Sequence, residues 1–179
     1  MTDLNLRKTN LIDAKASRAV DFDDFREYEE LRCTFPNEIF IRYGEAIDLI
    51  GTCYAQFDLN THGTYRGNEA HLEFLTGEHI IKITGTIASY WNKSFIFNLT
   101  FHTDMGRDVG IENQHNGRTV QGKPFTIEFD KGYALACLFG KTSSPIERGK
   151  TLHNYSFLSA IGAYQRKIGC ITQAEFTKE

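Results

Sequence analysis

From Asn37 onward, apolar and polar residues alternate with the period of a strand. Ile39, Ile41 and Tyr43 share one face and Phe40 and Arg42 the other. Gly44-Glu45 breaks the run, after which Ile47, Leu49, Gly51 and Cys53 alternate with Asp48, Ile50, Thr52 and Tyr54. A polar loop from Asn60 to Asn68 follows. Leu72 and Phe74 open the next strand pair, with Gly77-Glu78 as its turn and Ile80, Ile81, Lys82 and Ile83 spread over both faces. Phe95 to Thr103 is rich in aromatic residues, Met105-Gly106 turns the chain, and Phe125 to Phe129 alternates cleanly. Asp130-Lys131-Gly132 forms a hairpin into a strand at Tyr133–Phe139. Tyr155–Tyr164 is the last strand, with Phe157, Ser159, Ile161 and Ala163 opposite Leu158, Ala160, Gly162 and Tyr164. Short strands at spacings of roughly 8–12 residues predict an all-β sandwich, prism or barrel. No long helix is evident.

The N-terminal part is less regular. Residues 1–20 read as a polar arm with a helical turn around Leu11 to Ala19. Asp21 to Arg32 has two readings. One is a helix capped by Asp23 or Asp24, with Phe25, Tyr28, Leu31 and Arg32 on one face. The other is a divergent stretch that follows Phe22-Asp23-Asp24. The acidic cluster itself reads as a solvated face.

A faint repeat adds to this. Gly44-Glu-Ala-Ile-Asp-Leu-Ile superposes on Gly77-Glu-His-Ile-Ile-Lys-Ile, and Tyr155–Ile161 superposes on both. Three related turn-strand units suggest three sheets around a pseudo-threefold axis, although periodicity alone does not separate that from a sandwich.

Composition narrows the function classes. A chain of 179 residues with 41% hydrophobic content suits one domain with a sizeable core. A net charge of -3 argues against a nucleic-acid partner. No apolar run approaches the roughly 20 residues of a membrane span. Met1–Lys8 lacks the apolar stretch of a signal peptide, so a cytoplasmic location is expected, or a secreted one for a processed form. The sequons at Asn92, Asn98 and Asn154 matter only in the second case. Cys33, Cys53, Cys137 and Cys170 are widely spaced and read as reduced, mostly buried thiols, with their disulfide state undecided. His62 and His71 are the pair that a hairpin would bring together for a metal, but ordinary strand and surface histidines are the favoured reading, and no metal or cofactor is expected. There is no Gly-x-Ser-x-Gly, phosphate loop or His-Glu-x-x-His, and Glu128 has no partner carboxylate at a telling spacing. The chain is therefore not expected to be an enzyme.

Several motifs, in order, resemble the jacalin-related lectins. Ile41-Arg-Tyr-Gly-Glu-Ala-Ile-Asp-Leu-Ile is similar to the family's strand, glycine turn and Ile-Asp-x-Ile strand. Leu75-Thr-Gly-Glu-His-Ile-Ile-Lys-Ile-Thr-Gly resembles Gly-Glu-Tyr-Ile-x-x-Ile-x-Gly, and Leu99-Thr-Phe-His-Thr-Asp-Met-Gly-Arg resembles Leu-x-Phe-x-Thr-Asn-x-x-Arg/Lys. Gly122-Lys-Pro-Phe, Leu138-Phe-Gly-Lys and the Leu158, Ala160, Ile161, Gly162, Tyr164 framework complete the series, and Phe22-Asp23-Asp24 resembles the Phe-Asp-Asp that family members often carry just after their first strand. The resemblance covers Ile39 to Tyr164. It implies a β-prism I fold, three four-stranded Greek-key sheets with pseudo-threefold symmetry. On this basis residues 1–20 are an arm, 21–170 the domain and 171–179 a tail, with the N-terminal segment completing a sheet.

The resemblance also implies metal-free, non-catalytic binding of glycans or glycoproteins, of the mannose type. A glycine turn presents backbone N–H groups, and a carboxylate four residues later accepts sugar hydroxyls in charge-assisted hydrogen bonds. The family's usual C-terminal site departs from this pattern. Ser159 stands where the Asp belongs, Tyr155 where the Gly belongs, residues 142–154 form a long inserted loop, and residues 1–35 contain no glycine. Gly140, Lys141, Phe157 and Ser159 are then a remodelled second candidate site. Gly44, Glu45, Ala46, Ile47 and Asp48 keep the pattern in the first repeat, with Gly63, Tyr65 and Gly67 as the facing loop and Tyr65 as a ring for a sugar to stack on. The middle repeat has Ile81 at the Asp position and is expected to be silent. The expected function is carbohydrate binding of weak or altered specificity. The alternative is a degenerate lectin scaffold that binds a protein through the 142–154 loop, whose Lys141, Arg148, Lys150 and His153 are basic. Oligomer formation is compatible with either.

Overall fold

The computed structural model describes residues 6–31, 34–55, 57–90, 92–115 and 118–169. Three antiparallel sheets enclose one core. In the first, Glu38–Tyr43, Ile47–Tyr54, Phe57–Asp58 and Asn68–Glu73, counted along the chain, lie in the order three-two-one-four, with His62–Gly63 added beside the second strand. The second sheet repeats that order with Ile80–Tyr90, Lys93–Thr103, Asp108–Ile111 and Lys123–Glu128. This is a Greek key. The third sheet shows it again, but only when counting starts at Tyr133–Ser143 and Phe157–Lys167 and resumes at the N-terminus with Arg7–Lys8 and Val20–Asp23. The third unit is thus split between the two ends of the chain. That split explains why the arm at 1–20 and the helical turn at Leu11–Ala19 give way to short strands. Arg7–Lys8 and Ile12–Asp13 pair with the last strand, and Val20–Asp23 with Tyr133–Ser143.

The helix reading of Asp21–Arg32 holds in part, and Phe22 and Asp23 lie within a strand rather than just after one. The strand ends at Asp23, and a one-and-a-half-turn helix follows at Phe25–Glu30. Tyr28 is its buried residue, and its hydroxyl donates to the Thr34 carbonyl at 2.7 Å. Arg32, Cys33 and Cys170, and the tail at 171–179, lie outside the described residues. Cys53 and Cys137 are not in disulfides.

The alternation seen in the sequence becomes an interior shared by all three sheets. Ile39, Ile41 and Ile50 of the first meet Ile83, Leu99 and Phe101 of the second and Leu135, Leu138, Leu158 and Ile161 of the third. Each such side chain, fully buried, contributes about 1.5–3 kcal/mol, well above the exposed ion pairs that decorate the sheets. A second clasp is polar. The Lys93 ammonium is buried and donates to the carbonyls of Ser17 and Ser144, both at 2.7 Å, and to Ser143 Oγ at 3.1 Å. Burial pushes its pKa down. One lysine therefore ties the N-terminal segment to the base of the inserted loop. That loop is itself ordered as a ribbon, Ile146–Glu147 paired with Lys150–Thr151.

Candidate functional site

The connections after Tyr43, Tyr90 and Ser143 join the first and second strands of the three sheets. They meet at one end of the prism, where Ala46, Ala88, Phe95, Phe97 and Phe157 pack together. Just past each connection the second strand carries one extra residue. Tyr43 pairs with Ile47 and Arg42 with Leu49, which leaves Asp48 between them. Ile87 pairs with Ile96 and Thr86 with Asn98, leaving Phe97. Thr142 pairs with Leu158 and Lys141 with Ala160, leaving Ser159. A bulge re-aims the side chain it carries. The fold thus supplies three equivalent positions, filled by an acid, an aromatic and an alcohol.

This corrects the expected repeat. Ile81 is not the middle counterpart of Asp48. The Gly77-Glu78 turn joins the fourth strand of the first sheet to the first strand of the second, a different connection in the same topology. The Gly-Glu-x-Ile pattern encodes a turn but not which strands the turn connects.

Asp48 is 5% exposed and walled by glycines. A Cβ on Gly44 would lie 3.4 Å from its Oδ2, and one on Gly67 would lie 2.8 Å from Oδ2 and 2.3 Å from the Tyr43 carbonyl. A Cβ on Gly63, whose φ is +122°, would run into the Asp48 carbonyl at 2.0 Å. That carbonyl accepts from the Thr64 N–H at 2.8 Å. Among the described residues no donor hydrogen-bonds the Asp48 carboxylate. Burial pushes its pKa up to about 6, and the Arg66 guanidinium pulls the other way. A carboxylate with little exposure and no donor is costly for the fold unless something else supplies the donors.

The remaining first-repeat residues take different parts. The Gly44 N–H donates to the Ala46 carbonyl at 3.1 Å, which closes the turn. Ala46 and Ile47 are fully buried framework, and Glu45 lies near Tyr90. Tyr65 is not brought to Asp48. Its ring lies near the Arg42 guanidinium, 5.3 Å away, and lines a cleft on the outer face of the first sheet. Arg66 takes the place expected of Tyr65. Its guanidinium stands 4.2 Å over the Tyr155 ring and makes no ion pair among the described residues. The Tyr90 phenol is pushed up by burial and by the nearby carboxylates of Glu45 and Asp48. Arg66, Tyr90 and Tyr155 are thus neighbours of the candidate site that sequence reasoning missed.

The facing loop is anchored from behind. His62 Nε2 meets Asp24 Oδ1 at 2.6 Å, and its ring stacks on Phe22 at 4.0 Å. Burial pushes the Asp24 carboxyl up and His62 opposes that. His71 instead bridges Glu38 and Glu69 at 2.6 and 2.9 Å, so the two histidines do not meet.

The second candidate site is brought together but closed. Ser159 is 0% exposed, donates to the Lys141 carbonyl at 3.2 Å and accepts at its own carbonyl from the Ala14 N–H at 2.9 Å. Lys141 pairs with Asp13 at 3.0 Å. Phe157 packs on Phe95 at 5.1 Å, and a Cβ on Gly140 would strike the Ala160 carbonyl at 2.2 Å. All four are framework beneath the N-terminal segment.

The chain matches the family model described as a jacalin-like lectin domain over residues 15–148. A search of curated protein sequences gave no match. Among solved structures, Malaysian banana lectin is similar with a TM-score of 0.63 at 20% identity, over 90% of this chain and 98% of the lectin. A mannose-binding jacalin-related lectin from Ananas comosus has a TM-score of 0.58 at 21% identity, over 90% and 98%. The Vibrio cholerae biofilm matrix protein Bap1 matches with a TM-score of 0.61 at 14% identity, over 90% of this chain and 23% of Bap1.

Proposed function

This chain belongs to the jacalin-like lectin domain family, a β-prism I fold, and from that premise we propose that it binds carbohydrate, without catalysis, at Asp48. The observation that carries the proposal is the Asp48 carboxylate itself, held on a bulge, walled by Gly44, Gly63 and Gly67, and lacking a donor from the described residues. Two adjacent sugar hydroxyls supply the missing donors. The glycines let the facing loop close on the carboxylate, since a Cβ at Gly63 or Gly67 would meet the Asp48 or Tyr43 carbonyl. Arg66, over Tyr155, lies beside the carboxylate as a charged donor for a further hydroxyl or ring oxygen. Of the three equivalent bulge positions this is the one with a carboxylate, because Phe97 fills the second and buried Ser159 the third.

The test is a glycan array followed by calorimetry on the best ligand. A charge-assisted hydrogen bond is worth about 1.5–3 kcal/mol, so Asp48→Ala is expected to weaken binding by about tenfold or more. Binding to no glycan, or binding unchanged by Asp48→Ala, overturns the reading.

A further inference from the structure

The outer face of the first sheet carries a cleft of about 600 Å³ that Asp48 does not line. Its floor is one row across three strands, Gly51, Phe40 and His71, which pair in register. Its wall is the loop bearing Asn60, Thr61 and Tyr65. Gly51 sets the depth, because a Cβ there would come within 2.7 Å of Thr61 Cγ2. The Thr61 and Tyr65 hydroxyls share a hydrogen bond at 3.2 Å, which holds a ring that is 64% exposed. Phe40 tilts against His71 at 5.0 Å.

The polar groups are mixed. Asn37 and Asn60 are exposed at the rim, and their side-chain amides make no hydrogen bond among the described residues. Asp58 lines the cleft, and Glu38 accepts from His71 at 2.6 Å. Free amides both donate and accept, carboxylates accept, and a fixed exposed ring offers an apolar face. That combination suits a ring with hydroxyls on its edge and C–H groups on its face. An anionic ligand is disfavoured, since Glu38 and Asp58 line the cleft and Arg42 is engaged by Glu69. Covalent chemistry is disfavoured as well. Burial, with Asp58 and Glu38 adding to it, pushes the Cys53 thiol up to about 12.

We infer that this cleft is a second saccharide site, separate from Asp48, that takes a neutral pyranose unit against Tyr65. Backbone amide signals, followed by NMR during titration with methyl α-mannoside, methyl β-galactoside and maltotriose, test it. In Asp48→Ala protein, at least one of these is expected to shift the amides of Asn37, Cys53 and Asn60. Tyr65→Ala or Asn60→Ala, both changes at exposed side chains, is expected to weaken that response by about fivefold or more. If no saccharide moves those amides, or if both variants leave the response unchanged, the cleft is not a saccharide site. In the unsubstituted protein, shifts confined to the surroundings of Gly44 and Gly67 overturn this inference and leave the Asp48 reading standing, and shifts confined to the cleft do the reverse.

Discussion

Asp48 and Ser159 occupy the same bulge in two copies of one Greek key, yet one is a carboxylate at 5% exposure with no donor among the described residues and the other an alcohol at 0% exposure that donates to a carbonyl. The backbone frame is shared, so the difference lies in what surrounds it. Around Asp48 the neighbours are Gly44, Gly63 and Gly67, which bring backbone close and add no side chain. Over Ser159 lie Asp13 and Ala14, held by the Lys141 ion pair and by the pairing of Ile12–Asp13 with the last strand. Lys93 fixes Ser17 and Ser144 next to them. On the proposed reading, a position supplied by the fold binds only where the side chains above it are missing and a carboxylate lacks its donors.

The comparison breaks most visibly if the missing acid is returned. Ser159→Asp buries a carboxylate at a position that is 0% exposed, beside an Asp13 that already holds Lys141, and should cost roughly 3–5 kcal/mol in a urea melt while adding no saccharide binding. A gain of binding there would show that the third position is not sealed. Gly63→Ala attacks the open position. The residue has φ +122° and its Cβ would meet the Asp48 carbonyl at 2.0 Å, so a loss of roughly 2–4 kcal/mol is expected together with the loss of saccharide binding.

Asp48→Asn sharpens the comparison through pH. The Asp48 pKa is raised to about 6 in the fold, from an ordinary carboxyl value of 3.8, so the folded state holds the proton more tightly. This group therefore adds stability below the unfolded pKa, and that contribution is lost as pH rises through about 6. Asp48→Asn should remove this slope and raise stability at neutral pH by about 1–2 kcal/mol. Saccharide affinity should follow the charged form, falling as pH drops through about 6. Affinity that is flat across that range would mean the carboxylate does not hold the ligand.

Much of this was legible in the chain. The alternation of Ile39 and Ile41 against Phe40 and Arg42 gave a two-faced strand, and the Gly44–Asp48 spacing gave the turn and its acid. The third sheet was harder, because Arg7–Lys8 and Ile12–Asp13 are too short to show a period and take their pairing from a strand over 140 residues away. The sealing of Ser159 was hidden for the same reason. The substitution is visible, but the contact with Ala14 is tertiary. Which side of the 63–67 loop faces the acid depended on strand pairing at His62–Gly63, and this is why Tyr65 and not Arg66 was expected there.

The most direct test of the account is a calorimetric titration of the best glycan-array ligand into wild-type, Asp48→Asn and Ser159→Ala proteins at neutral pH. The account predicts that Asp48→Asn loses about tenfold or more in affinity and that Ser159→Ala binds like wild type. Affinity that survives in Asp48→Asn and falls in Ser159→Ala would contradict it.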